Sequence, residues 1–243
     1  MEQWYANQLK KVERAVYDGM LTCFRQGAPS VRVPRVSAVT LGDVFTALKL
    51  DHPEIFWVKS YRYSYTDTSD HYDLRPEYLF DGNKLKSQQQ AVESRLCKLI
   101  RPMQDKPEEE KLLAIHAFLV QNVRYDKLKK EYSHEVFGTL TNGVGVCEGI
   151  AKTVKLFCDR LNIPCIVVMC DNDPEKGVKY RHAWNLVKMG GKWLHFDMTF
   201  DLSLSKCGME RFDYFALSDE KITRDHRPSM YPVPQAVENG AFR

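Results

Sequence analysis

Apolar side chains recur at positions 147, 150, 151, 154, 157, 158 and 161, the spacing of one buried helix face. Asn162 and Pro164 end that helix, and "CIVVMC" (165–170) follows as an apolar run short enough for a buried strand. "RHAWNLVK" and "WLHFDMTFD" flank Met189-Gly190-Gly191-Lys192 and predict two strands joined by a glycine turn. Upstream, residues 3–26 carry one apolar face and stop at Gly27-Ala28-Pro29, which predicts a helix. Residues 30–40 read as a loop or short strand, and "TLGDVFTALKLDHPE" as a short helix ended by His52-Pro53. "IFWVKSYRYSY" alternates, with Trp57, Lys59, Tyr61, Tyr63 and Tyr65 on one face, and "HYDLRPEYLF" follows across a polar turn to complete a β-hairpin. Leu85, Gln88, Val92, Leu96 and Leu99 mark a further amphipathic helix. Pro107 before Glu108-Glu109-Glu110 is a helix start, with carboxylates at the positive end of the dipole. That helix runs through "KLLAIHAFLVQNVRYD", with His116 expected as a core or helix-surface histidine. "FGTLTNGVGV" predicts a loop leading to the helix at 147, and the proline-rich chain past 226 is expected to wrap the surface without a core of its own.

Composition narrows the classes. A chain of 243 residues that is 44% hydrophobic is ample for a core. The formal net charge is only +3 and no basic run occurs, so binding to nucleic acid by counterion release gets no support. No stretch approaches the ~20 apolar residues of a membrane span. The amphipathic, charged start "MEQWYANQLKKVERAVYDGM" lacks the apolar middle of a secretory signal, and a cytoplasmic location is expected. The seven cysteines are odd in number and form no CxxC or CxxxC pair, which argues against a disulfide framework and a structural zinc site. All but Cys147 are expected to be small buried hydrophobes. No metal and no cofactor is expected; "DNDPE" (171–175) is a weak calcium candidate that reads better as a turn.

Candidate chemistry comes from pairing the last two strands. A turn centred on Gly190-Gly191 sets Lys188 opposite Trp193 and Leu186 opposite His195. His182, Trp184, His195 and Asp197 then share one face. His182 and Asp197 become diagonal neighbours roughly 7 Å apart at the backbone, within side-chain reach. A carboxylate so placed holds one imidazole nitrogen and leaves the other as a base. Cys147 opens its helix, and a helix N-terminus and an adjacent imidazolium both stabilise a thiolate. Nucleophile, base and orienter are the parts of a covalent acyl-transfer site. By spacing alone, packing roles for the Cys and His are as good a reading.

"NGVGVCEGIAKTVKLFCDRLNIPC", "RHAWNLVKMGGKWLHFDMTFD" and the preceding "KLLAIHAFLVQNVRYD" together resemble the transglutaminase-like superfamily of papain-like cysteine enzymes. The pattern of a Cys opening a helix, a His in a "HAWN" strand and an Asp in "W-x-H-x-D-x-T" falls on Cys147, His182 and Asp197. "DYFALSDEKITRDH" (213–226) resembles the segment that follows in bacterial members, and "LDHPEIFWV" more loosely resembles their N-terminal extensions. The resemblance implies an α+β fold: a papain-like core with the Cys helix packed on an antiparallel sheet, preceded by a helix and hairpin extension. Expected boundaries are 1–102 for an extension packed on the core, 103–226 for the catalytic core and 227–243 for a tail. It implies a Cys147–His182–Asp197 triad acting on amide bonds of a peptide or protein substrate, as a cysteine peptidase or amidase. Transfer to an amine, deamidation, and a non-catalytic protein-binding role using the aromatic stripe remain open. The Cys147 backbone N–H is the natural oxyanion donor. Trp57 and Trp184 are candidates for the substrate or oxyanion wall; Trp57 reads better as core or groove wall, and Trp184 equally as a core aromatic. His195 is read as supporting, and Glu148 and Asp201 as local hydrogen-bonding partners.

Overall fold

The computed structural model describes residues 3–172, 181–205, 209–227 and 229–240. Cys207 and most of the "DNDPE" segment lie outside the described residues. The chain divides into two compact units, Glu2–Gln90 and Ala91–Arg243.

In the first unit, α1 (Lys11–Gln26) buries Val16, Tyr17, Met20, Leu21 and Phe24 and ends at Gly27, whose φ of +63° is left-handed. β1 (Val31–Pro34) leads to α2 (Ala38–Asp51), capped by the Ser37 hydroxyl accepting from the Thr40 N–H. β2 (Val58–Ser64) and β3 (His71–Tyr78) form the expected hairpin. β1 adds to it, giving an antiparallel sheet in the order β1-β3-β2. The aromatic stripe runs from buried to exposed along β2. Trp57 lies in the core, while Tyr63 and Tyr65 stack at 6.4 Å and Arg35 sits 4.2 Å over Tyr65.

The boundary falls within α3 (Gly82–Ile100). In the second unit, α4 (Glu108–Asn122) precedes β4 (Arg124–Tyr125). The segment read from sequence as a loop is instead α5 (Val136–Asn142), which buries Val136, Phe137 and Leu140 and stops at left-handed Gly143. β5 (Val144–Gly145) then pairs parallel with β4 and delivers the chain to α6 (Cys147–Arg160). β6 (Cys165–Cys170), β7 (His182–Met189), β8 (Lys192–Phe196) and β9 (Phe215–Leu217) form an antiparallel sheet in that order. This is an α+β fold with α6 packed on β7, where the Asn185 amide donates to the Ala151 carbonyl oxygen at 3.0 Å. The β7–β8 register is the expected one, Leu186 opposite His195 and Lys188 opposite Trp193. Gly190 and Gly191 carry φ of +57° and +82° at its turn, which two glycines adopt without strain.

Three further expectations need correction. The strand through "WLHFDMTFD" stops at Phe196, because Asp197 caps α7 (Met198–Leu204) with its side chain. α6 is buried nearly all round, with Lys152 and Lys155 inside it, not along one stripe alone. Cys97 is exposed on the polar face of α3, its thiol donating to Glu93 at 3.4 Å. The tail is laced down by backbone bonds from Met230 to Met169, Asp219 to Ala236 and Gly240 to Ala216, the Ala236 N–H donating in return to the Asp219 carboxylate, and it buries Ala236 completely. α8 (Asp219–Ile222) follows β9. Among the described residues no helix is long and apolar enough to cross a membrane.

Candidate active site

Four elements converge at the start of α6. Val146, the N-cap, makes no side-chain cap, so the start of the helix is not closed by its own side chain. Backbone presses close here: a Cβ at Gly149 would lie 2.2 Å from the Ser133 carbonyl oxygen, which only glycine allows. Cys147 itself is half-buried at the helix tip. Its thiol neighbours the His182 imidazole at the start of β7 and favours the charged ring. His182 Nε2 lies 2.5 Å from Asp197 Oδ2, leaving Nδ1 for the thiol. Cys147, His182 and Asp197 thus lie next to one another.

Asp197 is fully buried and is held on both oxygens. Oδ1 accepts the Thr199 and Phe200 N–H groups at 2.8 and 3.1 Å, the cap of α7. Oδ2 accepts His182 and a second imidazole, His226 Nε2 at 2.8 Å. Burial opposes a charged carboxyl, yet His182 and His226 outweigh it and hold Asp197 down at about 2. Burial likewise opposes a charged imidazole, yet Asp197 and Cys147 outweigh it and raise His182 to about 10. Among the described residues, His182, Asp197 and His226 are the grouping that could hold a metal ion, with ligand atoms within 4.8 Å of one another. Hydrogen bonds already join all three.

Trp184 lies nearly parallel to His182, with centroids 5.9 Å apart. Its indole N–H donates to His195 Nδ1 at 2.9 Å, and His195 Nε2 meets Asp219 at 2.8 Å. Burial lowers His195, which keeps the neutral tautomer this chain needs. The indole N–H of Trp57 donates to the Phe24 carbonyl oxygen at 2.9 Å. Both indole donors are thus engaged. Beside Cys147 stands a group the sequence reading did not single out. Tyr125, on β4, lies against Cys147, and burial and the thiol together raise its phenol. His226 was missed as well. Both lay inside quoted motifs, "VRYD" and "RDH", and no spacing rule ties either to residue 147 or 197.

Under the first turn of α6, Lys152 is completely buried. It donates to Glu148 at 2.6 Å, Glu135 at 3.1 Å and the His134 carbonyl oxygen at 3.2 Å. Burial works against the Glu148 carboxylate, but Lys152 and His134 hold it well below the usual range. Glu148 is a local partner, as expected. So is Asp201, which meets buried His116 at 3.3 Å and accepts the Tyr214 N–H at 2.9 Å.

Residues 97–198 match the family model described as the transglutaminase-like superfamily. Among solved structures, a TGase is similar over 63% of this chain and 47% of its own, at 13% identity and a TM-score of 0.41. A candidate cysteine protease from Cytophaga hutchinsonii is similar over 58% of this chain and 61% of its own, at 20% identity and a TM-score of 0.37. A candidate protease from Parabacteroides distasonis is similar over 57% and 36%, at 11% identity and a TM-score of 0.33. The chain spans less than two thirds of the length of each of these structures. No curated protein gives a significant match.

Proposed function

We propose that the chain, which matches the transglutaminase-like superfamily over residues 97–198, is a thiol-dependent acyl-transfer enzyme acting on amide bonds of peptides or proteins. The supporting observation is Cys147 at a helix N-terminus beside the hydrogen-bonded pair His182–Asp197. The Cys147 thiolate attacks the amide carbonyl carbon and forms a C–S bond. The oxygen of the tetrahedral intermediate meets the Cys147 N–H and, beside it, the Tyr125 hydroxyl. His182 gives its proton to the leaving nitrogen as the C–N bond breaks. Water then attacks the thioester, His182 takes a proton from it, the C–S bond breaks to release the carboxylic acid, and the Cys147 thiolate is restored beside the protonated imidazole. Asp197 keeps the imidazole oriented through both steps.

Hydrolysis is the first reading, because water is always present. An amine in place of water makes the same site a transglutaminase, and the glutamine side-chain amide as substrate with water makes it a deamidase. An iodoacetamide probe across pH tests the thiol, and a peptide library with a fluorescent primary amine tests both acceptors. Cys147 is expected to react faster than a free thiol, and Cys147→Ala to abolish turnover. A Cys147 no faster than free thiol, with turnover unchanged in Cys147→Ala, overturns the proposal.

A further inference from the structure

Asp197 Oδ2 is shared by two imidazoles, and a Cys–His–Asp row requires only one. His226 is 6% exposed and lies in a ring of aromatic side chains, its centroid 5.0 Å from Trp184 and 4.7 Å from Phe200. Its Nε2 faces Asp197 at 2.8 Å and its Nδ1 faces Asp225 Oδ1 at 2.6 Å. Asp225 in turn accepts the Tyr214 hydroxyl. Both ring nitrogens of His226 thus point at carboxylate oxygens. His182 lies 5.2 Å away ring to ring, and the buried His195 feels the His226 charge. The titratable groups around His226 are therefore Asp197, Asp225, Tyr214, His182 and His195.

What His226 does follows from what it is not needed for. Asp197 does not depend on it for orientation, because the Thr199 and Phe200 N–H groups fix Oδ1 through the cap of α7. An acceptor oxygen shared between two donors pulls less on each, and a donor ring beside a carboxylate offsets part of its charge.

We propose that His226 is a positioning residue that acts through Asp197: by sharing Oδ2 it restrains the proton affinity of His182, so that His182 can return its proton to the leaving group. Without His226, Asp197 stays in place and pulls harder on His182. The imidazolium becomes a weaker acid and protonation of the leaving nitrogen slows. Its importance for turnover rests on the catalytic reading of Cys147, His182 and Asp197; its effect on His182 does not.

The test uses the full chain labelled with 15N-histidine. The His182 titration is followed by NMR, with Cys147 alkylation rates measured alongside. Replacing buried His226 by Leu is expected to raise the His182 midpoint by roughly half to one unit, the size of one shared hydrogen bond. His226→Gln, which keeps one N–H donor toward Asp197, is expected between Leu and wild type. Asp225→Asn, a change at a part-exposed carboxylate, serves if His226→Leu does not fold; it is expected to move the midpoint in the same direction by less. A merely structural His226 would lower the melting temperature without moving the midpoint. An unmoved or lowered His182 midpoint in the folded variants overturns the proposal. Wild-type Cys147 reacting no faster than free thiol would instead overturn the enzymatic reading while leaving the His226 result to stand on the NMR.

Discussion

Replacing Asp197 by Asn tests the electrostatic heart of the site. The amide keeps the shape and one acceptor oxygen for the cap of α7, but it removes the charge that faces His182 at 2.5 Å. The structure raises His182 from 6.5 to about 10, and 10 − 6.5 = 3.5 units. At ~1.36 kcal/mol per unit this is roughly 5 kcal/mol in favour of the imidazolium. A unit-charge pair at that distance in an effective dielectric of ~20 gives about 7 kcal/mol. The difference is of the size expected for the burial that opposes the charge. In Asp197→Asn burial stands without its largest offset, so the His182 midpoint should fall by about 3.5 pH units or more, to its ordinary value or below it. The assay is a 15N-histidine NMR titration, with His182→Gln assigning the resonance. The stability of the protein should follow. A group whose folded value is raised contributes in full below its unfolded value and loses that contribution as pH rises to the folded one. The gap in melting temperature between wild type and Asp197→Asn should therefore narrow from pH 6.5 to about 10. A variant whose His182 still titrates within a unit of the wild type would show that Asp197 is not what holds the imidazole charged, and the reasoning would fail.

Three further predictions follow from buried groups near the site. Lys152→Met leaves Glu135 and Glu148 without their cation and should destabilise the fold by ~3–5 kcal/mol in urea titrations at pH 7. Because Glu148 is held low in the native fold, that deficit should shrink as pH falls below about 4.5, where the stranded carboxylates protonate; a loss under ~1 kcal/mol would refute the assignment. Gly149→Ala puts a methyl 2.2 Å from a backbone oxygen and should cost ~1–3 kcal/mol or more, read as a drop in melting temperature of several degrees; an unchanged melting curve would mean that the Ser133 backbone yields freely. Trp184→Phe keeps the ring beside His182 but leaves His195 Nδ1 without its donor, and should destabilise by about 1–3 kcal/mol in thermal melts; no change would mean that water replaces the indole N–H.

The parts of this fold that follow a simple period were legible in the sequence. The β7–β8 register came from alternation about two glycines, and it placed His182 and His195 on one face as found. The parts set by long-range contacts were not. β4 and β5 are two residues each, too short for any period, yet they bring Tyr125 to Cys147. β1 joins the hairpin across an intervening helix, which four residues of "VRVP" cannot announce. α6 reads as one-sided because Lys152 and Lys155 look like solvent-facing residues. Inside the protein they are neutralised by Glu135, Glu148 and Asp159. His226 lies 29 positions from the carboxylate it shares, a separation that no local pattern encodes.

The same limit explains why Cys147 and Cys158 are indistinguishable by period and different in kind. Both fall on the apolar stripe of α6. Cys158 lies in the body of the helix, completely buried, and its neighbour Cys165 together with burial pushes its thiol well up, so the inert protonated form prevails. Cys147 is at N1, where the helix has no earlier turn to accept its N–H, and its thiol meets an imidazole already held charged. The chain sets this contrast by where the helix starts. That start depends on β5 pairing with β4 and on Gly149 letting the Ser133 backbone close against the first turn. Asp197 has the matching double role, one oxygen ending a strand by capping α7 and the other facing His182. Secondary-structure boundaries at 147 and 197 are therefore what place the reacting groups. Changes that shift either boundary should lower Cys147 reactivity even when every side chain of the row is intact.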